Sequence, residues 1–240
     1  MDFQLTEEQT LIQDMARQFA SVELAPHSAM WDEEKFLDRA VFSKAAELGF
    51  CGIYTGEEHG GTGLSRLDSA LVFEQLAAGD VSHTAMLTIH NMATNMIGRY
   101  CKDSVVEQWC PDLVMGTKLA SYCLTEPGAG SDAASLRTSA TLEGDHYIVN
   151  GAKIWSSYGH YATFGILIAR TDPDQPKQRG ISYFICPMAQ PGLTMQPIID
   201  MTTAHSFNQV FFDDMRLPVE NRVGAENDGW RLAKMTLANE

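Results

Sequence analysis

The sequence is poor in the features that mark membrane-spanning, secreted and nucleic-acid-binding proteins. It has no run of about 18 apolar residues, and Arg17 is the only base in its first 20 residues. We therefore expect neither a membrane span nor a secretory or mitochondrial presequence. Lysine and arginine total 17 against 31 acids, a net charge of -14, which disfavours nucleic acid and anionic membranes as partners. These features predict a cytoplasmic protein, or a mature mitochondrial matrix protein without its leader.

Cysteine is also scarce and irregularly placed. The five cysteines are odd in number and show no Cys-x-x-Cys spacing, which disfavours both a disulfide framework and a zinc site. His83 and His90 lie seven residues apart on a predicted helix, but no third ligand stands at metal spacing. We expect reduced cysteines and no bound metal.

The first half of the chain has helical periodicity. Thr6 and Gln9 match a capping box, and apolar residues then recur at helical spacing until Pro26, where we expect the helix to end. Further helices are predicted over residues 33–48, 65–78, 82–100 and 103–116. An apolar content of 45% in 240 residues is enough for one large or two ordinary domains. Residues 1–118 are accordingly predicted to form an all-helical N-terminal domain.

From Leu119 the pattern changes to short alternating stretches bounded by turns, which is typical of β-strands. Strands are predicted at residues 119–124, 138–142, 146–150, 163–169, 181–186 and 209–212. They indicate a β-barrel-like middle domain over residues 119–226.

Helical periodicity returns near Asn227, where Leu232, Met235 and Leu237 are apolar. Because no stop signal follows, residues 227–240 are predicted to begin a C-terminal helical bundle that is missing from this chain. We expect the apolar face of this helix to be exposed without the bundle. The fold class is therefore predicted to be α+β.

A hydroxyl- and glycine-rich segment follows the first predicted strand. Gly128 and Gly130 allow a bulky anion to approach the backbone without meeting a Cβ, and Thr125 and Ser131 offer hydroxyl donors. Residues 155–157 add a flat apolar wall and two more hydroxyls. Together these groups could hold a flavin nucleotide, and we call them the clamp. Its residues are Tyr122, Cys123, Leu124, Thr125, Glu126, Pro127, Gly128, Ala129, Gly130 and Ser131, with Trp155, Ser156 and Ser157.

Two other interpretations compete for the first of these segments. Residues 128–133 satisfy the loose G-x-G-x-x-G/A pattern of a Rossmann turn, but that fingerprint must open a helix and be followed by an acid about 20 residues later. Two predicted strands follow instead, and position 150 is asparagine. Taken alone, the segment could also be a glycine-rich surface turn without a ligand. Residues 155–157 favour the cofactor site.

The two segments resemble the signature of the acyl-CoA dehydrogenase family, flavoenzymes that desaturate acyl-CoA thioesters at the α,β position. The likeness is carried by residues 122–132 and 150–157 and extends over the whole chain. Residues 1–155 look most like members that act on a short, branched acyl-CoA, whereas the later part looks more like general bacterial members.

The resemblance implies FAD as the cofactor. Residues 122–131 would line the flavin and its pyrophosphate, and residues 155–157 would cover the other face of the flavin. Ser131 would also contact the acyl-CoA substrate. The resemblance further implies an electron-transferring flavoprotein as partner and a homo-oligomer, a tetramer, for the complete enzyme.

The resemblance also implies a carboxylate that removes the α-proton of the substrate. In most of the family this glutamate lies in a C-terminal helical domain that the chain does not contain. A minority carry it on the helix that opens that domain, at the position of Glu240. The alternative is that Glu240 is an ordinary exposed helix acid. Glu126 is expected to hold its turn and not to act as a base.

Two other functions stay open at this point. One is a flavin- and acyl-CoA-binding subunit or fragment that does not catalyse alone. The other is an interaction protein that has kept the fold and lost the cofactor.

Overall fold

The computed structural model describes residues 4–237 and divides into two compact units. The helical unit comprises the residues up to Gly98 together with Cys110–Thr117. The sheet unit comprises Arg99–Trp109 and the residues from Lys118 onwards. Within the described part of the chain, no helix combines the length and the apolar character needed to cross a membrane.

The first helix, α1 (Glu7–Phe19), begins at the predicted capping box. The Gln9 amide donates to Thr6 Oγ1 at 3.1 Å, and the Thr6 amide donates to Gln9 Oε1 at 3.1 Å. The prediction that the helix ends at Pro26 is wrong. A wide turn over Ala20–Leu24 leads directly into α2 (Ala25–Glu34), because Pro26 lies in the first turn of α2, where a helix does not use the missing N–H.

The single helix predicted over residues 33–48 is also wrong. Lys35 ends α2 in the left-handed conformation, with φ of 56°. The next helix, α3 (Ala40–Glu47), begins five residues later, where the Ala40 amide donates to the Asp38 carboxylate at 2.9 Å. The other predicted helices are confirmed. They are α4 (Arg66–Gly79), α5 (Val81–Tyr100) and α6 (Asp103–Val114).

One mixed sheet of eight strands forms the core of the sheet unit. Its order is β6-β7-β3-β2-β4-β5-β8, with β1 paired in parallel to β4. The β6 and β8 strands have no counterpart in the sequence prediction, and β3 and β7 are longer than predicted. The strands are β1 (Ala120–Cys123), β2 (Ser139–Glu143), β3 (His146–Ser157), β4 (Phe164–Arg170), β5 (Ile181–Pro187), β6 (Leu193–Ile198), β7 (Phe207–Pro218) and β8 (Arg222–Val223).

The apolar residues of this sheet enclose a core in which Tyr147 and Phe184 pack edge to face, with ring centroids 4.9 Å apart. The last helix, α7 (Gly229–Leu237), packs against β5, where the Thr236 and Tyr183 hydroxyls are 2.9 Å apart. Leu232 on α7 is fully buried, Met235 is half-buried and Leu237 is exposed, so the apolar face that we expected to be exposed is covered only in part. The helices, the mixed sheet and the beginning of a further helix confirm the α+β fold.

Candidate cofactor site

The structure brings the two clamp segments side by side, since β1 leads into the first segment and β3 ends in the second. The Ser121 hydroxyl donates to the Ser157 carbonyl at 2.9 Å. The Ile154 amide donates to the Thr125 carbonyl at 2.8 Å. Two segments that are distant in sequence therefore form one surface feature.

A buried ion pair strengthens this connection. Lys153 is fully buried, and its Nζ lies 2.8 Å from Glu126 Oε1 and 3.0 Å from the Leu124 carbonyl oxygen. Glu126 also accepts hydrogen bonds from the backbone amides of Arg137 at 2.7 Å and Thr138 at 2.9 Å. Both charges thus have the hydrogen bonds that buried ions require.

These contacts determine the protonation of Glu126. Burial raises the pKa of its carboxyl, but the Lys153 ammonium and the hydrogen bonds outweigh burial and hold that pKa below its usual range. Burial lowers the pKa of Lys153, and the Glu126 carboxylate opposes this change. An ionised carboxylate that already accepts three hydrogen bonds is a poor proton acceptor, so the contacts support the turn-holding role of Glu126.

The glycine-rich turn is closed by two backbone hydrogen bonds between Glu126 and Ala129, of 3.1 and 3.0 Å. A Cβ added at Gly128 or Gly130 would meet no atom within 4 Å, and neither glycine has a positive φ. Packing within the chain therefore does not require glycine at either position. Open space beside an exposed backbone is what a closely approaching anionic ligand needs.

Trp155 is unusual in both its exposure and its backbone. Its side chain is 52% exposed, its φ is 62°, and its ring packs edge-on against Phe207, with centroids 5.7 Å apart. The left-handed conformation costs a non-glycine residue about 1–2 kcal/mol. Such outliers concentrate at ligand sites, and a half-exposed indole provides the flat surface on which an aromatic ring can stack.

The predicted site residues differ in accessibility. Thr125 and Ser157 are half-buried and Ser131 is exposed, so a ligand can reach them. Ser156 is instead fully buried, with its hydroxyl 3.4 Å from Cys123 Sγ. The structure therefore buries the side chains of Ser156 and Cys123, so a ligand cannot reach them. Glu240 lies outside the described residues.

The structure excludes the Rossmann turn for this segment. The residues after Gly130 form a short turn at Ala133–Ser135 and then β2, so the helix that a Rossmann turn requires is not formed. Among residues 4–237, no cluster of three His, Cys, Asp or Glu side chains is placed to hold a metal ion. His90 instead bonds through Nε2 to the Leu113 carbonyl, at 2.9 Å.

Sequence reasoning assigned no role to Lys153 or Asn208. For Lys153, the available signal was a lysine next to the apolar Ala152 and Ile154, because a charge that becomes buried needs a partner. No local pattern pointed to Asn208. Its side chain bonds to Ser156, which lies 52 residues earlier in the chain, and a contact at that distance leaves no trace in the neighbouring sequence.

Comparison with known proteins agrees with this geometry. The family model described as Acyl-CoA dehydrogenase, N-terminal domain, matches residues 6–117, and the one described as Acyl-CoA dehydrogenase, middle domain, matches residues 121–215. The chain belongs to the acyl-CoA dehydrogenase family.

Individual relatives support the same assignment. The mitochondrial isobutyryl-CoA dehydrogenase of Dictyostelium discoideum is 43% identical over 237 residues, which cover 97% of this chain and 56% of that protein. A chain of the solved electron transferring flavoprotein structure of Acidaminococcus fermentans is 36% identical, with a TM-score of 0.93, and the match covers all of this chain and 63% of that one. The solved FAD complex of PigA is 28% identical, with a TM-score of 0.94, and the match covers 100% of this chain and 64% of the PigA chain. The chain thus spans about half to two thirds of the length of these relatives.

Proposed function

We propose that this chain forms the N-terminal and middle domains of a flavin-dependent acyl-CoA dehydrogenase. The enzyme converts a short, straight or branched acyl-CoA to the enoyl-CoA and passes the electrons to an electron-transferring flavoprotein. The observation that carries this proposal is that the two clamp segments lie side by side, held by bonds from the adjacent residues Ser121 and Ile154 to Ser157 and Thr125. The FAD complex of a structural relative supports the choice of cofactor.

The described residues fit FAD. The open backbone at Gly128 and Gly130 suits its pyrophosphate, and accessible hydroxyls at Thr125 and Ser157 can bond the polar edge of a flavin. The exposed Trp155 ring can cover an apolar ring face. Bound FAD supplies the acceptor for the β-hydrogen of the substrate, which leaves as a hydride.

The chain itself must hold the substrate and remove a proton. Ser131 is exposed at the end of the first clamp segment, where it can contact the acyl-CoA. The α-proton passes to a carboxylate, the Cα=Cβ bond forms, and the hydride leaves from Cβ. Glu126 is unsuited to this proton transfer because it is ionised and engaged with Lys153. We propose Glu240 for this role, because alignment of the sequence from Gly229-Trp230 puts it at the position where a minority of the family carry the base.

The relatives support the proposed substrate size and electron acceptor. Similarity to an isobutyryl-CoA dehydrogenase favours a short, branched substrate. Similarity to a chain of an electron transferring flavoprotein structure favours such a flavoprotein as electron acceptor. We propose a homotetramer for the complete enzyme.

Gly130→Val tests the cofactor assignment. Because an added Cβ at this position meets nothing within 4 Å, the variant should keep the stability of the parent protein. It should lose FAD affinity, since the isopropyl group would occupy the space assigned to the pyrophosphate. Fluorescence titration with FAD gives the dissociation constant, and thermal unfolding gives the stability.

Gly144→Asn is the control for this experiment. Gly144 lies in the turn between β2 and β3, has φ of 64° and also borders open space, and asparagine tolerates that conformation. The control should bind FAD like the parent. A Gly130→Val protein with parental FAD affinity, or a parent that takes up no FAD, contradicts the proposal.

A cofactor-binding subunit that does not catalyse alone is the second candidate. The limited share of its relatives that the chain spans, 56% of the isobutyryl-CoA dehydrogenase, favours it. Turnover of isobutyryl-CoA with an artificial electron acceptor separates the two. Flavin binding without turnover by the isolated chain supports the subunit, whereas turnover supports the complete catalyst.

A further inference from the structure

Asn208, at the beginning of β7, connects the second clamp segment to two histidines. Its side chain is fully buried, and Nδ2 donates to the Ser156 carbonyl oxygen at 3.1 Å. Its Oδ1 lies 2.7 Å from His205 Nε2, and its Nδ2 lies 3.1 Å from His160 Nδ1. The two imidazoles stack with centroids 3.8 Å apart and planes 15° apart.

The chemistry of these atoms determines where the hydrogens lie. The Ser156 carbonyl can only accept, so the amide nitrogen of Asn208 must face it. The amide oxygen then faces His205, whose Nε2 must carry a proton and donate. The remaining Nδ2 proton points to His160, whose Nδ1 must be unprotonated and accept. All three polar contacts of the Asn208 amide are satisfied in one orientation only.

The bonded carbonyl lies where the strand pairing is irregular. From Lys153 to Ser156 the β3 strand advances three residues, while its partners on β7, from Val210 to Asn208, advance two. The extra residue on β3 makes a bulge that includes Trp155 with its φ of 62°. A bulge interrupts the ladder of backbone hydrogen bonds, so a side chain must supply part of the missing restraint.

We propose that Asn208 is a positioning residue that sets the conformation of Trp155, Ser156 and Ser157 through the Ser156 carbonyl, with His160 and His205 holding its amide in one orientation. Its effect on FAD rests on the proposed function, whereas its effect on the bulge does not. Asn208 is fully buried, so it acts on the cofactor only through the backbone of these three residues.

Asn208→Asp is the sharpest test, because it keeps the shape of the side chain and replaces the donor by an acceptor. The introduced carboxylate cannot donate to the Ser156 carbonyl. Hydrogen exchange measured by mass spectrometry on the FAD-free chain should speed up about tenfold in residues 152–160, the change expected when one hydrogen bond is lost. The FAD dissociation constant should rise by a similar factor, and the visible absorption band of bound flavin should shift.

Asn221→Asp is the matched control, since Asn221 Nδ2 also donates to a backbone carbonyl, that of Ile185, at 2.8 Å. It should leave exchange in residues 152–160 and the FAD dissociation constant unchanged. His205→Gln, which keeps a donor for Asn208, should retain more FAD affinity than His205→Leu, although both remove the stacked ring.

The outcomes distinguish the two proposals. If the parent chain binds no FAD, the proposed function fails, and exchange in residues 152–160 still decides the role of Asn208. Exchange there that is no faster in Asn208→Asp than in Asn221→Asp overturns the positioning role. A general rise in exchange over the whole sheet unit in Asn208→Asp also overturns it, because the residue would then support only the fold.

Discussion

The two units each contain a buried charged network, and the networks differ in what they hold together. In the helical unit, Asp80 accepts from the His83 amide and from His83 Nδ1, both at 2.8 Å, and from the Ser28 hydroxyl at 2.7 Å. His83 Nε2 accepts from the Asp38 amide at 2.9 Å. This network joins α2, α5 and the segment before α3. Each of these hydrogen bonds connects residues of the helical unit to one another.

In the sheet unit, Glu126 and Lys153 also satisfy each other, but the elements they join have accessible outer faces. Gly128 and Gly130 border open space, and Trp155 is half exposed. One network therefore closes a core, whereas the other holds segments whose outer faces are accessible. The difference indicates that a buried ion pair is informative about function when the segments it connects leave backbone and hydroxyl groups accessible.

Removing one charge of the sheet network should have the largest effect. Lys153→Met leaves the Glu126 carboxylate buried without its counterion, and we expect a loss of about 3–5 kcal/mol in the free energy of unfolding. FAD affinity should fall with it. Urea denaturation followed by tryptophan fluorescence measures the stability.

Two comparisons sharpen this prediction. Lys177→Met removes an ion pair of similar length, 2.7 Å to Asp132, but both partners are exposed, so it should cost less than about 1 kcal/mol. The double variant Lys153→Met with Glu126→Gln should recover part of the loss, because no buried charge stays unpaired. Equal losses for Lys153→Met and Lys177→Met would show that the buried pair has no special role.

A neutral histidine makes the helical unit sensitive to acid. Burial lowers the pKa of His90 to about 4, and its Nδ1 has no hydrogen-bond partner among the described residues. Between about pH 6.5 and pH 4 the unfolded state binds a proton that the folded state does not, so stability is complete above this range and falls on acidification. The expected loss between pH 7 and pH 5 is about 2 kcal/mol.

His90→Gln tests this, because glutamine can still donate to the Leu113 carbonyl but does not titrate. The variant should lose less stability than the parent between pH 7 and pH 5, as measured by urea midpoints at each pH. His27→Gln, at an exposed position on α2, is the control and should keep the parental slope. Identical slopes for the parent and His90→Gln would rule out His90 as the cause.

The smallest effect on stability is expected at the strained tryptophan. Trp155→Gly relieves the left-handed strain but removes a half-exposed ring, so the unfolding free energy should change by less than about 1 kcal/mol. FAD affinity should nevertheless fall. Lys35→Gly, at φ of 56° in the helical unit, should relieve similar strain without changing FAD affinity. Thermal unfolding and FAD titration of both variants provide the comparison, and parental FAD affinity in Trp155→Gly would remove the ring from the site.

Local patterns were sufficient for much of the fold. The capping box at Thr6 begins a helix as predicted, because the hydrogen bonds involved span only three residues. Local rules failed at Pro26, where the same residue that ends a helix is also tolerated in the first turn of the next one. The β6 strand was missed because Pro197 lies within it, and a proline in a short alternating run argues against a strand unless the strand lies at a sheet edge, as β6 does.

The sequence by itself determined the α+β class and the family resemblance, and it identified the two segments of the clamp. Each of these depends on residue order over short stretches. Tertiary structure alone decided that Lys153 neutralises Glu126 and that Asn208 holds the Ser156 carbonyl. It also decided the left-handed conformation of Trp155. The physical reason is the register of β3 against β7: a shift of one residue would turn every side chain to the other face of the sheet, and that register is set by the packing of the whole core.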